Sequence, residues 1–235
     1  MNFKLATIDI GSNTILMLIA EKIKDNDFKV LNDYHNIARL GEDFTDTIKY
    51  IKPEAKIRAI SILKEYREII ENNKIQKVFA VATSAIREAE NSDIILDDLK
   101  EALGYDIKII TGDEEAYYSY LGAVNKDDLE TMVIDIGGGS TEIILGYGMH
   151  IKKRYSIDIG AVKLTKMFIK EHRPTEYHLN EMENYIKKKL SEHIQFLDYE
   201  KINKVYAVAG TPTTIAAVDL GLNDYDRDLI EGHKL

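Results

Sequence analysis

The chain has 235 residues, 45% hydrophobic and 30% charged, with a net charge of −9 and no cysteine. This is the composition of a soluble globular protein with room for one large or two ordinary domains, and it excludes disulfides, thiol catalysis and cysteine-type zinc sites. No apolar run approaches the roughly 18 residues that span a bilayer, no signal peptide is visible, and the acidic balance argues against a nucleic-acid partner, which needs a basic face; a cytoplasmic protein without membrane contact is expected.

In chain order, Lys4–Asp9 is an apolar, β-leaning run that stops at an acid, followed by Gly11-Ser12-Asn13-Thr14 and a second apolar run over Ile15–Ala20. Strand, glycine-containing turn and returning strand predict a hairpin. Phe28–Ala38 reads as a third strand, ended by Arg39-Leu40-Gly41. Pro53 starts a helix at a first-turn position, with an apolar stripe through Ile57, Ile60, Leu63 and Ile70 at helical spacing. Lys77–Ala82 is a strand with Thr83-Ser84-Ala85-Ile86-Arg87 at its C-terminal end, where α/β proteins place ligands. Ser92 as N-cap and Gly104 as C-terminal stop bracket a further helix. Asp106–Ile110 is a strand, and Thr111-Gly112-Asp113-Glu114-Glu115-Ala116 opens a helix running to about Val124. Lys126-Asp127-Asp128 reads as the crossover to the second half.

The second half repeats this order. Strands are predicted at Glu130–Gly137, Thr141–Gly146 and Ile151–Ile157. A helix starts at Gly160-Ala161 and breaks at Arg173-Pro174; a long one covers Tyr177 to Leu197. Lys204–Ala209 is a strand, and Gly210-Thr211-Pro212-Thr213-Thr214 turns into a helix reaching about Leu220. Asp9-Ile10-Gly11 matches Asp135-Ile136-Gly137, an offset too long for a solenoid. It predicts two similar domains whose loops line one cleft. The tyrosines fall mostly at apolar positions and are expected in the core.

The stretch Ile134-Asp135-Ile136-Gly137-Gly138-Gly139-Ser140-Thr141-Glu142 carries the strongest chemical signal. Glycines let backbone N–H groups approach a ligand closely, and several N–H groups in one concavity form an anion nest suited to phosphate. Acids at both ends of such a loop would repel phosphate without a cation between them, which suggests Mg²⁺. For an isolated Asp-x-Gly, a tight turn with an Asx bond is the simpler account; the three glycines followed by Ser-Thr-Glu favour the nest. Asp9 to Thr14, Thr83 to Arg87 and Gly210 to Thr214 are further sites of the same type. Glu115 lies in a helix first turn, where the dipole keeps a carboxylate ionised and able to take a proton from water. Asp113 and Glu114 lie in the same turn, and the residues alone leave the choice open. Arg87 could pair with a transferring phosphoryl group or with Glu88 or Glu90.

Taken together, Ile8-Asp9-Ile10-Gly11-Ser12-Asn13-Thr14, Arg39-Leu40-Gly41, Ala82-Thr83-Ser84-Ala85-Ile86-Arg87-Glu88-Ala89-Glu90-Asn91, Gly112-Asp113-Glu114-Glu115-Ala116, Asp135 to Glu142, Ile159-Gly160-Ala161-Val162-Lys163-Leu164 and Ala209-Gly210-Thr211-Pro212-Thr213-Thr214 resemble the exopolyphosphatase / guanosine pentaphosphate phosphohydrolase family of the actin-like ATPase superfamily, almost end to end. The resemblance implies an α/β fold of two duplicated actin-like (ribonuclease H-like) domains with mixed sheets, domain I over residues 1–126 and domain II over 127–235, with the active site in the cleft. It implies Mg²⁺-dependent removal of the terminal phosphate of polyphosphate or guanosine pentaphosphate. Glu115 would be the base and Arg87 a second catalytic group. Metal and water-positioning acids would be Asp9, Asp135 and Glu142. Phosphate contacts would fall on Ser12, Asn13, Thr14, Thr83, Ser84, Gly137, Gly138, Gly139, Ser140, Thr141, Gly210 and Thr211. A homodimer is common in the family. Two departures stand out. Ile230-Glu231-Gly232 replaces the family's Val-His-Gly, and relatives usually continue past the position of Leu235 with helices that close domain II. A non-catalytic polyphosphate- or alarmone-binding module and a nucleoside triphosphatase or kinase of the same superfamily are the alternatives. The second lacks an adenosine-binding signature here.

Overall fold

A computed structural model describes residues 3–24, 27–45, 47–124, 129–169, 173–194 and 201–235. The chain divides into two compact units, Met1–Thr111 and Gly112–Leu235. Among the described residues no helix is long and apolar enough to cross a membrane.

In the first unit, β1 (Phe3–Ile10), β2 (Thr14–Lys24) and β3 (Asp27–Ile37) form an antiparallel meander. After α1 (Pro53–Asn72), β4 (Lys77–Ala82) pairs parallel to β1. Beyond α2 (Ser84–Glu88) and α3 (Ser92–Leu103), β5 (Ile107–Ile109) pairs parallel to β4, giving the order β3-β2-β1-β4-β5. Side chains alternate across a strand, so Ala6, Ile8 and Ile10 are buried while Thr7 and Asp9 are exposed. α1 lays Ala55, Ala59, Leu63, Tyr66 and Ile70 into the core, each large apolar side chain contributing about 1.5–3 kcal/mol. Tyr66 donates its hydroxyl to Ile15 O at 2.9 Å, and burial pushes its pKa up to about 12. Gly104 ends α3 with φ +75°, as expected. The N-cap of α3 is Asn91 rather than Ser92; the Asn91 amide exchanges two hydrogen bonds with the Ile51 backbone (3.1 and 3.0 Å), so it ties the helix start to the preceding segment.

The second unit opens with α4 (Gly112–Ala123), followed by the antiparallel strands β6 (Glu130–Ile136), β7 (Thr141–Tyr147) and β8 (His150–Ile157), then α5 (Ala161–Phe168), α6 (Glu176–Ile194), β9 (Lys204–Val208), α7 (Gly210–Asp219) and α8 (Arg227–Ile230). β9 pairs parallel to β6, in the order β8-β7-β6-β9. Buried Ala116, Tyr120, Val124, Val133 and Ile144 form one cluster. Ile143, Ile157 and Ile159, with Leu164, Tyr185, Ile186 and Leu190, form the other. β7 is thus covered on both faces.

The duplication is borne out as two mixed sheets, and their registers superpose. Asp9 pairs with Val81, and Asp135 with Val208. That alignment lays Lys77-Val78-Phe79-Ala80-Val81 over Lys204-Val205-Tyr206-Ala207-Val208, a second internal repeat. The division at Thr111/Gly112 falls earlier than the expected boundary at residue 126, because α4 packs against the second sheet through Tyr120; residues 125–128, where the crossover was expected, lie outside the described residues. α5 ends at Phe168, ahead of Arg173-Pro174, and the expected end of α6 at Leu197 also lies outside the described residues. Only part of the expected tyrosine burial holds. Tyr66 and Tyr120 are buried, whereas Tyr50, Tyr117, Tyr118, Tyr147, Tyr177 and Tyr225 are exposed.

Candidate active site

The loop between β6 and β7 is closed by Gly137 N–H donating to Ser140 O at 3.0 Å. Its outer carbonyls are not left to solvent. Gly137 O accepts from Ala161 N–H (3.0 Å), and Gly138 O accepts from Val162 and Lys163 N–H (3.0 and 3.2 Å), the first donors of α5, which have no partner within their own helix. Fixing those carbonyls fixes the peptide planes of the loop and hence where its N–H groups point. The approach requires glycine at position 160. A Cβ there would lie 2.5 Å from the Gly138 carbonyl and Gly139 N. The Thr141 hydroxyl donates to Ile159 O at 2.7 Å, which commits it to the same buttress.

At the mouth of this loop Asp135 and Glu142 are cross-strand partners, so both side chains stand on one face of the sheet. Burial raises the Asp135 pKa, opposed by a hydrogen bond from Ser119, whose hydroxyl lies 2.5 Å from Oδ2. Burial also pushes Glu142 up to about 8, with Glu115 and then Asp135 adding charge repulsion, against hydrogen bonds from Ser156 and Ser140; Ser156 Oγ donates to Oε1 at 2.8 Å. Glu115 thus belongs to the same acidic group. α4 brings it there because the helix is anchored in two places. Arg154 on β8 grips Asp113 with two bonds of 2.7 and 2.8 Å, holding that carboxyl below its usual range. Tyr120 is fully buried and donates to Gly148 O at 2.9 Å.

Two desolvated carboxylates with oxygen donors alone fit a hard cation such as Mg²⁺, which takes one or two carboxylates plus phosphate oxygens and water. Among the described residues no group of three or more His, Cys, Asp or Glu side chains is arranged to hold a metal.

The corresponding loop of the first unit has the same closure, Gly11 N–H to Thr14 O at 2.9 Å, and a similar buttress. Asn13 O accepts from Ala38 and Arg39 N–H, and Ser12 O from Gly41 N–H, which ties the Arg39-Leu40-Gly41 stretch to this loop. Ser12 Oγ and Ser84 Oγ are 2.8 Å apart, joining two stretches singled out in the sequence. Thr83 N–H donates to Ile10 O, so this turn sits at the end of β1. Arg87 Nη1 donates to Ile110 O at 2.8 Å. Asp9 lies opposite Leu16, the position that Glu142 holds in the second unit, so its hairpin has no acidic pair. Gly210 and Thr211 open α7. The Thr213 and Thr214 hydroxyls turn back to Ala209 O and Gly210 O, and Ala209 carries φ +73°, a strained value for a residue with a Cβ. Gly160 belongs to a stretch that the resemblance singles out, whereas Ser119 and Ser156 join the site without a signal of their own, because a lone serine in a helix or strand shows nothing in the sequence of the carboxylate it will meet.

The Ppx/GppA phosphatase family profile matches residues 18–233. A bifunctional 3-dehydroquinate synthase/phosphatase of Fusobacterium nucleatum is 37% identical over 97% of this chain, and the chain spans about a third (36%) of that protein. Exopolyphosphatase 2 of Mycobacterium tuberculosis is 32% identical over 95% of this chain and 73% of its own length. The crystal structure of an exopolyphosphatase-like protein superposes with a TM-score of 0.91 at 32% identity, covering 100% of this chain and 74% of that one.

Proposed function

This chain belongs to the Ppx/GppA phosphatase family, and on that premise we propose that it hydrolyses a terminal phosphoric anhydride, that of inorganic polyphosphate or of guanosine pentaphosphate, with Glu115 as general base. The observation that carries the reading is the convergence of Glu115 with Asp135 and Glu142 beside the Gly137–Ser140 loop. In the proposed step Glu115 takes a proton from water as its oxygen bonds the terminal phosphorus. The bond from that phosphorus to the bridging oxygen breaks, and the shortened chain leaves with the electron pair. Asp135 and Glu142 would hold Mg²⁺, which when bound neutralises phosphate oxygens. The loop N–H groups would donate to the equatorial oxygens, so that most of the acceleration is positioning and electrostatics. Ser12, Asn13, Thr14, Thr83, Ser84 and Arg87 are proposed to bind phosphate oxygens on the first unit, and Gly210 and Thr211 through first-turn N–H groups of α7.

Phosphate release measured separately with polyphosphate and with guanosine pentaphosphate, with and without Mg²⁺, tests this. Mg²⁺-dependent release from at least one is expected. Binding of both by folded protein without release would reject the hydrolase in favour of a sensing module.

A further inference from the structure

Ser119 lies one helical turn beyond Glu115 on α4, and the proposed reaction gives it no part. Serine and threonine inside helices usually turn back to the carbonyl four residues earlier, as Thr165 does to Ala161 O (2.7 Å) and Thr214 to Gly210 O (2.7 Å). Ser119 instead donates across to Asp135 Oδ2 on β6 at 2.5 Å, in the range of a charge-assisted O–H···O⁻ bond. The start of α4 is held by the Asp113–Arg154 pair, and buried Tyr120 stands next to Ser119 in sequence. Glu142 receives the same treatment from Ser156 on β8.

We infer that Ser119 is a positioning residue for Asp135. Its hydroxyl occupies Oδ2 and fixes the otherwise twofold carboxylate torsion, so that Asp135 presents Oδ1 to the cation. This rests on the Mg²⁺-dependent reading above. It makes one turn of α4 responsible for both the base that activates water and the group that aims an acid of the cation site. Bonds of this kind orient metal ligands, and their loss costs about 10–100-fold in metal affinity or activity.

The test compares wild type, Ser119→Ala, Ser119→Thr and a control, Gly122→Ala, whose added methyl meets nothing within 4 Å. Mg²⁺ binding is measured by calorimetry without substrate, and the Mg²⁺ dependence of phosphate release alongside it. Ala favours helices, so Ser119→Ala is expected to fold. It should bind Mg²⁺ about tenfold more weakly and need correspondingly more Mg²⁺ for half-maximal rate, while its rate at saturating Mg²⁺ stays near wild type. Ser119→Thr should restore both, and Gly122→Ala should match wild type. Unchanged Mg²⁺ affinity in Ser119→Ala, or a lowered saturated rate with unchanged affinity, overturns the inference, as does a wild type that releases phosphate without binding Mg²⁺. A wild type that binds Mg²⁺ but releases no phosphate defeats the hydrolase reading alone; the calorimetry still decides Ser119.

Discussion

Asp135 and Glu142 face each other across β6 and β7, and Glu142 is only 1% exposed with its pKa at about 8. Glu115 from α4 and Asp135 from β6 repel it, while Ser156 from β8 and Ser140 from the loop donate to it. Because the folded pKa lies above the ordinary value of 4.5, the folded state holds this proton more tightly than the unfolded chain. The contribution to stability is complete below about pH 4.5 and is lost as pH rises to about 8. Without divalent cations, Glu142→Gln is therefore expected to melt several degrees higher than wild type at pH 8 and equally at pH 4, while its phosphate release collapses. Melting curves across that range in a chelator check this; a lower melting temperature for the variant at pH 8 would contradict it.

Gly160 supports the loop from behind. Since a Cβ would meet the Gly138 backbone at 2.5 Å, Gly160→Ala must push the loop off the start of α5, at a cost of about 1–3 kcal/mol, with loss of most activity. Gly210→Ala adds a methyl where nothing lies within 4 Å and should leave the fold intact. Urea denaturation of both variants distinguishes a tight backbone contact from a general intolerance to side chains.

Ala209 precedes α7 at φ +73° and ψ −173°, a region suited to glycine. Ala209→Gly should relieve part of a strain of about 1–3 kcal/mol and raise the melting temperature by a few degrees. If phosphate release falls at the same time, the strained turn serves the site. A melting temperature unchanged or lowered would mean that the strain is relieved elsewhere.

The two Asp-Ile-Gly turns are legible in the sequence because each needs an acid, a glycine and flanking apolar runs in fixed order. The Lys77–Val81 and Lys204–Val208 repeat stands there too, but residues that merely suit a strand draw no notice until the sheet registers align them. Which sheet α4 covers is not written in its own spacing. Its buried Ala116 and Tyr120 find their partners, Val133 and Ile144, only after the chain has turned back. Composition and helix position leave Asp113, Glu114 and Glu115 equal, and only the motif resemblance singles out Glu115; in the fold Asp113 is bound to Arg154 and Glu115 lies near enough to Glu142 to repel it.

The central claim is that Glu115 takes the proton from the attacking water. Single-turnover phosphate release by wild type and Glu115→Gln at saturating substrate and Mg²⁺ tests it most directly. The glutamine keeps the shape and removes the base, so the rate should fall about 10²–10⁴-fold with substrate affinity nearly unchanged. Equal single-turnover rates would remove Glu115 from that role.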